Sequence, residues 1–340
     1  MTNQALMDVL QGLPPDVREN ILKAAETVAT STFSPSARSV FSPENLSEDI
    51  KILVPVDTPL RNKLPRVKGF GQAAAWKKMT SKLHSKINTT AGGVGTNTDI
   101  SFADAGAPGE TSQTYAVSSA AYKLLGRKVE IGGLANAASA GRGMTMLDER
   151  EKIKIYETML GEEELLIGGD SAEDTNEFDG ILKQITTNSG SASLLTASGI
   201  GVYATTLADT YGAYPTDLFA AGRQIRALAD ELQGSGSIQR IVVDNQGRGI
   251  GGVSLASIIN PVNGTPITVN HDRYMNNNAL LLTLKSPAGE SWIEVDELIP
   301  MSRIDVPSSN FSYIRFVLEA LVVKVIGEPF QYKITGLAVS

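Results

Sequence analysis

Gly247, Gly249 and Gly252 form a GxGxxG run, the pattern with which a backbone approaches a pyrophosphate closely. A strand-like segment, Arg240–Asp244, precedes it, and Asp272 follows about twenty residues later, where an acid could take a ribose hydroxyl. A dinucleotide-binding oxidoreductase using the Gly247–Gly252 loop is therefore one function that the spacing offers. Two features oppose it. Val253–Ile259, which should supply the phosphate-binding helix, is short and is cut off by Pro261. The flanking segments also do not alternate strand with helix, and a glycine-rich surface loop accounts for the same residues.

Other chemistries have fewer candidates. With no cysteine, the chain lacks thiolate nucleophiles, disulfides and cysteine zinc sites. Its only two histidines, His84 and His271, lie far apart and read as surface or loop residues. Neither a GxSxG elbow nor a GxxxxGK[ST] phosphate loop occurs. Asp170 with Glu177 and Asp179 could be imagined as an acid–base carboxylate pair, but solvated or structural carboxylates are the ordinary role of such a stretch. The acidic spacing also departs from the helix–loop–helix calcium pattern. The residues thus point to a non-enzyme with no catalytic, cofactor or metal site, whose function is its shape and contacts.

Charge is unevenly placed. The net charge is −7, yet Lys51–Lys86 carries nine basic residues and one acid, Asp57. Pro55, Pro59, Pro65, Gly69 and Gly71 interrupt this stretch, and a Gly/Ser/Thr/Asn-rich segment follows from Asn88 to Ser119. So few apolar residues cannot form a separate core, so the stretch reads as an arm that docks elsewhere. Glu162–Asp179 is its opposite, with eight acids and no base. The expectation is an intersubunit contact in which Arg61, Lys63, Arg66, Lys77, Lys78 and Lys82 face Glu162, Glu163, Glu164, Asp170, Glu173 and Asp174 of an adjacent copy. Direct nucleic-acid binding is the competing role, but the arm offers Trp76 and few other aromatics for stacking.

The elements that must position these residues read as α+β with mixed connections. Pro14 to Thr30 is an amphipathic helix by the spacing of Val17, Ile21, Ala25 and Val28, and Ser31–Pro43 is a linker. Lys51–Val56 and Arg127–Ile131 read as strands flanking a two-stranded excursion with its tip near Gly92–Gly95. Met146–Ile167 is the clearest helix, with Met146, Ile153, Tyr156, Leu160 and Ile167 as its buried stripe, Thr145 as cap and Gly168–Gly169 as stop. A second helix is expected over Asp217–Gln233, capped by Thr216, with Leu218, Ala221, Ile225, Leu228 and Leu232 buried. Strands are expected at Arg240–Asp244, Pro266–Asn270, Leu280–Lys285, Trp292–Val295, Leu298–Ile304, Tyr313–Ile326 and Phe330–Leu337. No apolar run is long enough to span a bilayer, and Met1–Gln11 does not read as a signal peptide.

This order resembles the major capsid protein family of tailed bacteriophages, with its Hong Kong-97-type fold. Leu60–Arg66 with Trp76 is similar to the start of that family's extended loop. Glu163–Leu166, Gly169-Asp170 and Asn176–Gly180 are similar to the end of its spine helix and the following turn, and Tyr214–Leu218 to the opening of an axial-domain helix. The resemblance implies an N-terminal arm at 1–50, an extended loop and its base at 51–130, a peripheral domain with the spine helix at 131–195, an axial domain at 196–300 and peripheral return strands at 301–340. It implies a virion protein, assembled in the host cytoplasm, that forms the pentamers and hexamers of an icosahedral head around double-stranded DNA, without sequence-specific or membrane binding. Portal and decoration proteins would be partners. An N-terminal region of about forty residues would be short for a built-in scaffolding domain, so a separate scaffolding protein or prior removal is expected. An encapsulin-like nanocompartment shell is the alternative within the same fold.

Overall fold

The computed structural model describes residues 56–79, 104, 106, 115–140, 146–234, 242–243, 249–250, 255–286, 289–307 and 310–338. The helix expected at 14–30, residues 51–55, the arm tip, His84, Lys82, Lys86 and Thr145 lie outside them. The unit Met1–Ile50 lies wholly outside as well, and the fold is that of the unit Lys51–Ser340.

In chain order, the elements begin with a short helix α1 (Pro59–Lys63), β1 (Arg66–Lys68), β2 (Ala73–Met79), β3 (Tyr115–Ala121), β4 (Lys123–Gly132) and α2 (Gly133–Ala140). The long helix α3 (Met146–Gly168), the single turn α4 (Ile181–Gln184), β5 (Ser189–Ser191), α5 (Ala197–Tyr211), β6 (Asp217–Ala220) and α6 (Gly222–Gly234) come next. The remainder is strand: β7 (Val242–Val243), β8 (Gly249–Ile250), β9 (Ser257–Ile259), β10 (Pro266–His271), β11 (Ala279–Leu282), β12 (Ile293–Val306), β13 (Ser312–Val325) and β14 (Tyr332–Thr335).

Two sheets carry the structure. A four-stranded sheet has the order β1-β12-β13-β4, and a six-stranded sheet the order β5-β14-β11-β6-β10-β9. The axis of the first is the hairpin β12–β13, two strands of 14 residues each, which at ~3.4 Å per residue run to about 45 Å. Its register shifts between Glu297 and Ile299 and again between Ile299 and Ser302. The expected pair Trp292–Val295 and Leu298–Ile304 is thus one strand with irregular pairing. The strand expected at Tyr313–Ile326 is present as β13.

The six-stranded sheet is buried on both faces, which explains its near-continuous apolar strands. Successive side chains on β6 and β11 point to opposite sides. Phe219, Leu280 and Leu282 join one core with Leu60, Leu166, Ile181, Ile293 and Leu321. Leu218 and Leu281 join the other, with Ile200, Leu207, Leu228, Ile267 and Ile334. This double burial corrects the expected helix over Asp217–Gln233. Its first four residues form the central strand β6, and the helix starts only at Gly222. Leu218 therefore belongs to a strand, because β10 and β11 claim the backbone of Asp217–Ala220.

Helix α5 has no counterpart among the sequence expectations. Gly199, Gly201 and the threonines weaken its helical signal. The Thr196 side chain nevertheless accepts from Gly199 N at 3.1 Å, and Gly212 closes the helix at φ 67°, where a residue with a Cβ is disfavoured. The strand β14 belongs to the six-stranded sheet, and β12 of the four-stranded sheet starts at Ile293. No described helix is long and apolar enough to cross a membrane.

Gln331 closes the gap between β11 and the turn before β14. Fully buried, it accepts from Thr283 N at 2.7 Å and donates to Thr283 O at 3.0 Å. Gln331→Leu orphans both groups, which costs about 1–3 kcal/mol for each, read as a lower urea midpoint.

Candidate intersubunit site and the root of the arm

The arm begins at α1 and β1. A Cβ on Gly69 would stand 2.4 Å from the Tyr122 hydroxyl, so the chain leaves the body through a passage that only glycine fits. Beyond it, β2 and β3 pair in antiparallel register from Ala73↔Ala121 to Met79↔Tyr115, with no third strand among the described residues. This is the expected two-stranded excursion. One face exposes Val117 and Tyr115, at 68% and 62%, beside Lys77.

The root is fastened to the C-terminal end of α3. Glu162 is fully buried and accepts from two arginines, Arg61 through Nε and Arg66 through Nη2. Arg66 also donates from Nη1 to Glu297 at 2.6 Å. Burial works against the Arg66 charge, but the two carboxylates more than restore it and hold its pKa above the usual value. The neighbouring Glu163 is fully buried too. It takes the backbone amides of Leu60 at 2.8 Å and Arg61 at 2.7 Å, and so caps α1 from another element. Asp272 accepts from Tyr274 N at 2.9 Å to cap the turn after β10, and its carboxyl lies beside that of Glu163. Loss of solvent pushes the Glu163 carboxyl up to about 8, against the pull of the two amides. Glu319 on β13 is pushed up to about 8, first by burial and then by the charge of Glu162.

These contacts correct part of the expected intersubunit surface. Arg61, Arg66, Glu162 and Glu163 meet within one chain, and the two glutamates are sealed from any neighbour. Lys63 pairs with Asp217 of β6, and Asp170 with Lys183 at 2.7 Å. The opposite charges do attract, but the arm starts beside the helix end and satisfies them locally. Lys77, Lys78, Glu164, Glu173 and Asp174 remain at the surface or half-buried, and Lys82 lies outside the described residues. Sequence reasoning missed both Glu319 and Glu297: Glu319 is the one acid of β13, and Glu297 is one of four acids on β12 that no spacing singles out.

The buried stripe of α3 also differs from expectation. The side facing the sheet carries Leu147, Glu151, Thr158, Glu162 and Leu166; of the expected stripe Ile167 is buried, whereas Met146, Ile153, Tyr156 and Leu160 are half-exposed. The reason is ionic: Glu151 pairs with Arg315 of β13, which also holds Asp305 at 2.6 Å and Asp148 at 3.1 Å. These bonds hold the Arg315 pKa above its usual range. After the helix, Asp170, Glu177 and Asp179 serve the turn: Asp179 accepts from Ser171 N at 3.0 Å and Asp170 from Ala172 N at 2.9 Å. Gly169 and Gly180 approach so closely that a Cβ on Gly169 would meet Phe178 O at 2.4 Å.

The glycine run that offered the dinucleotide-binding alternative is flanked by strands. Val242–Val243 pairs antiparallel with Gly249–Ile250, and Ser257–Ile259, where the phosphate-binding helix was needed, is a strand; Gly247 and Gly252 lie outside the described residues. A phosphate-binding turn needs a strand leading into a helix, and the described elements here do not supply that order.

Two stacked sheets, a long helix across one of them and a hairpin arm define a shell protein of the Hong Kong-97 type. The capsid of Myoviridae phage XM1 superposes with a TM-score of 0.56 at 10% identity, covering 86% of this chain and 97% of that one. The capsid of a native GTA particle gives 0.58 at 13%, covering 88% and 96%. The SrpI encapsulin of Synechococcus elongatus PCC 7942 gives 0.57 at 11%, covering 93% and 95%. A family model described as SU10 major capsid protein matches residues 25–316, and the chain belongs to that family of phage major capsid proteins. No curated protein matches it.

Replacing Glu162 with alanine leaves Arg61 and Arg66 without their buried carboxylate. The expected cost is about 3–5 kcal/mol, measured by urea denaturation. The exposed pair Arg226–Asp230 is a control, and its removal should change stability by less than about 1 kcal/mol.

Proposed function

We propose that this capsid protein assembles into the pentamers and hexamers of an icosahedral head that encloses double-stranded DNA. The four-stranded sheet with α3 would form the peripheral domain, and the six-stranded sheet with α5 and α6 the axial domain. The observation that carries the reading is the β2–β3 hairpin. A two-stranded ribbon is marginally stable in water, and this one leaves Val117 and Tyr115 uncovered. A neighbouring copy would cover that face. Lys77 and Lys78 would then meet Glu164, Glu173 and Asp174 of the neighbour, the part of the expected charge contact that shows no ion pair among the described residues. A separate scaffolding protein, a portal and decoration proteins complete the proposed partners, and host cytoplasm is the proposed site of assembly.

The likeness to an encapsulin supports a second reading, a shell that encloses protein instead of a genome. Electron microscopy of the purified protein tests the common part, with closed shells expected; a small soluble oligomer overturns it. Nucleic acid or protein inside shells isolated from their native source separates the two readings. K77E/K78E should lower the yield of shells at least severalfold, and E164K/E173K in the same chain should restore part of it. Full yield from the first variant removes the charge contact. Each exposed pair contributes at most about 1 kcal/mol, but the contact recurs in every subunit.

A further inference from the structure

The root of the arm holds more buried carboxylate than its cations can neutralise. Glu162 already occupies Arg61 and Arg66, and Arg66 is shared with Glu297. Glu319 lies against this set from β13, fully buried, and neither of its oxygens meets a hydrogen-bond donor. On the other side of α1, Oδ2 of the fully buried Asp272 has no donor either. The Glu163 carboxyl is within hydrogen-bonding reach of Asp272, and two carboxylates bond only through a shared proton.

We propose that these carboxyls form a proton-held latch at the root of the arm. Protonated, Glu319 and the Glu163–Asp272 pair fasten α1 and β1 to α3 and β13; ionised, they release them. The groups facing Glu319 are Glu162 from α3, Arg61 from α1, Arg66 from β1 and Glu297 from β12. Those facing the acid pair are the Leu60 and Arg61 amides, His271, Asp57 and the Tyr274 amide. The sign follows from linkage. Burial raises Glu319 and Glu163 to about 8, so the latched state keeps protons that the released state gives up above the ordinary carboxylate range. Latching is complete at acidic pH, weakens above the ordinary carboxylate range and is lost as pH rises through about 8.

Hydrogen exchange of the full chain, read by mass spectrometry at about pH 6 and about pH 9 and corrected for intrinsic exchange, tests this. Peptides covering residues 59–68 should lose protection at least about tenfold at the higher pH, while β6 and β11 keep theirs. In E319Q, neutral at both pH values, that loss should be severalfold smaller. Equal protection at both pH values in the unmodified chain overturns the latch, as does a uniform loss across all strands or an E319Q response equal to the parent's. If circular dichroism shows E319Q unfolded, E163Q is judged by the same outcomes. The comparison is made within one assembly state, checked by size-exclusion chromatography at both pH values, because contacts between copies change protection as well.

Discussion

Glu162, held by Arg61 and Arg66, is the contact on which the rest of the arrangement depends. It ties three elements that are distant in sequence, α1, β1 and α3, at a point sealed from water. A carboxylate in that position is tolerable only when paired, and two guanidinium groups supply the pairing. The pairing fixes where the arm leaves the body. Leu60 and Leu64 are thereby seated in the core between the sheets, and the narrow exit at Gly69 follows. Removing the charge from one residue would loosen helix, core and arm together.

The same logic repeats at the other end of α3, where Glu151 meets Arg315 and Arg303. The helix is thus anchored at both ends by ions and turns a half-exposed apolar stripe outward. Ordinary amphipathic reasoning places the apolar stripe inward. Here the sheet presents arginines to the helix, so the helix answers with glutamates.

This ionic anchoring also decides how much was legible in the sequence. The long helix, its glycine stop, the strand β13 and the excursion between β1 and β4 were all readable, because each has a local signal of period, cap or composition. The opposite charges of the arm and the helix end were readable as partners too. Whether Arg61 meets Glu162 of its own chain depends on folding back across about a hundred residues, and no local pattern encodes that. Helix α5 was hidden because its stability comes from Ile200, Ala204 and Leu207 packing under the six-stranded sheet, not from propensity. Asp217–Ala220 misled for the opposite reason: four buried residues fit a helix turn or a central strand equally well until their neighbours are known.

The irregular register of β12 between Glu297 and Ser302 divides the long ribbon into two mechanical regimes. Below it, Ile293, Val295, Leu321 and Val323 are locked into the core. Above it, Arg303, Ile304, Asp305 and Tyr313 are exposed, and the ribbon is held from the side by β4 and by the pairing of Arg315 with Glu151. The ribbon is a beam clamped by apolar packing at its base and braced by β4 and by ions above it. The two halves therefore answer differently to the solvent: salt weakens the ionic brace, whereas the apolar clamp keeps its grip.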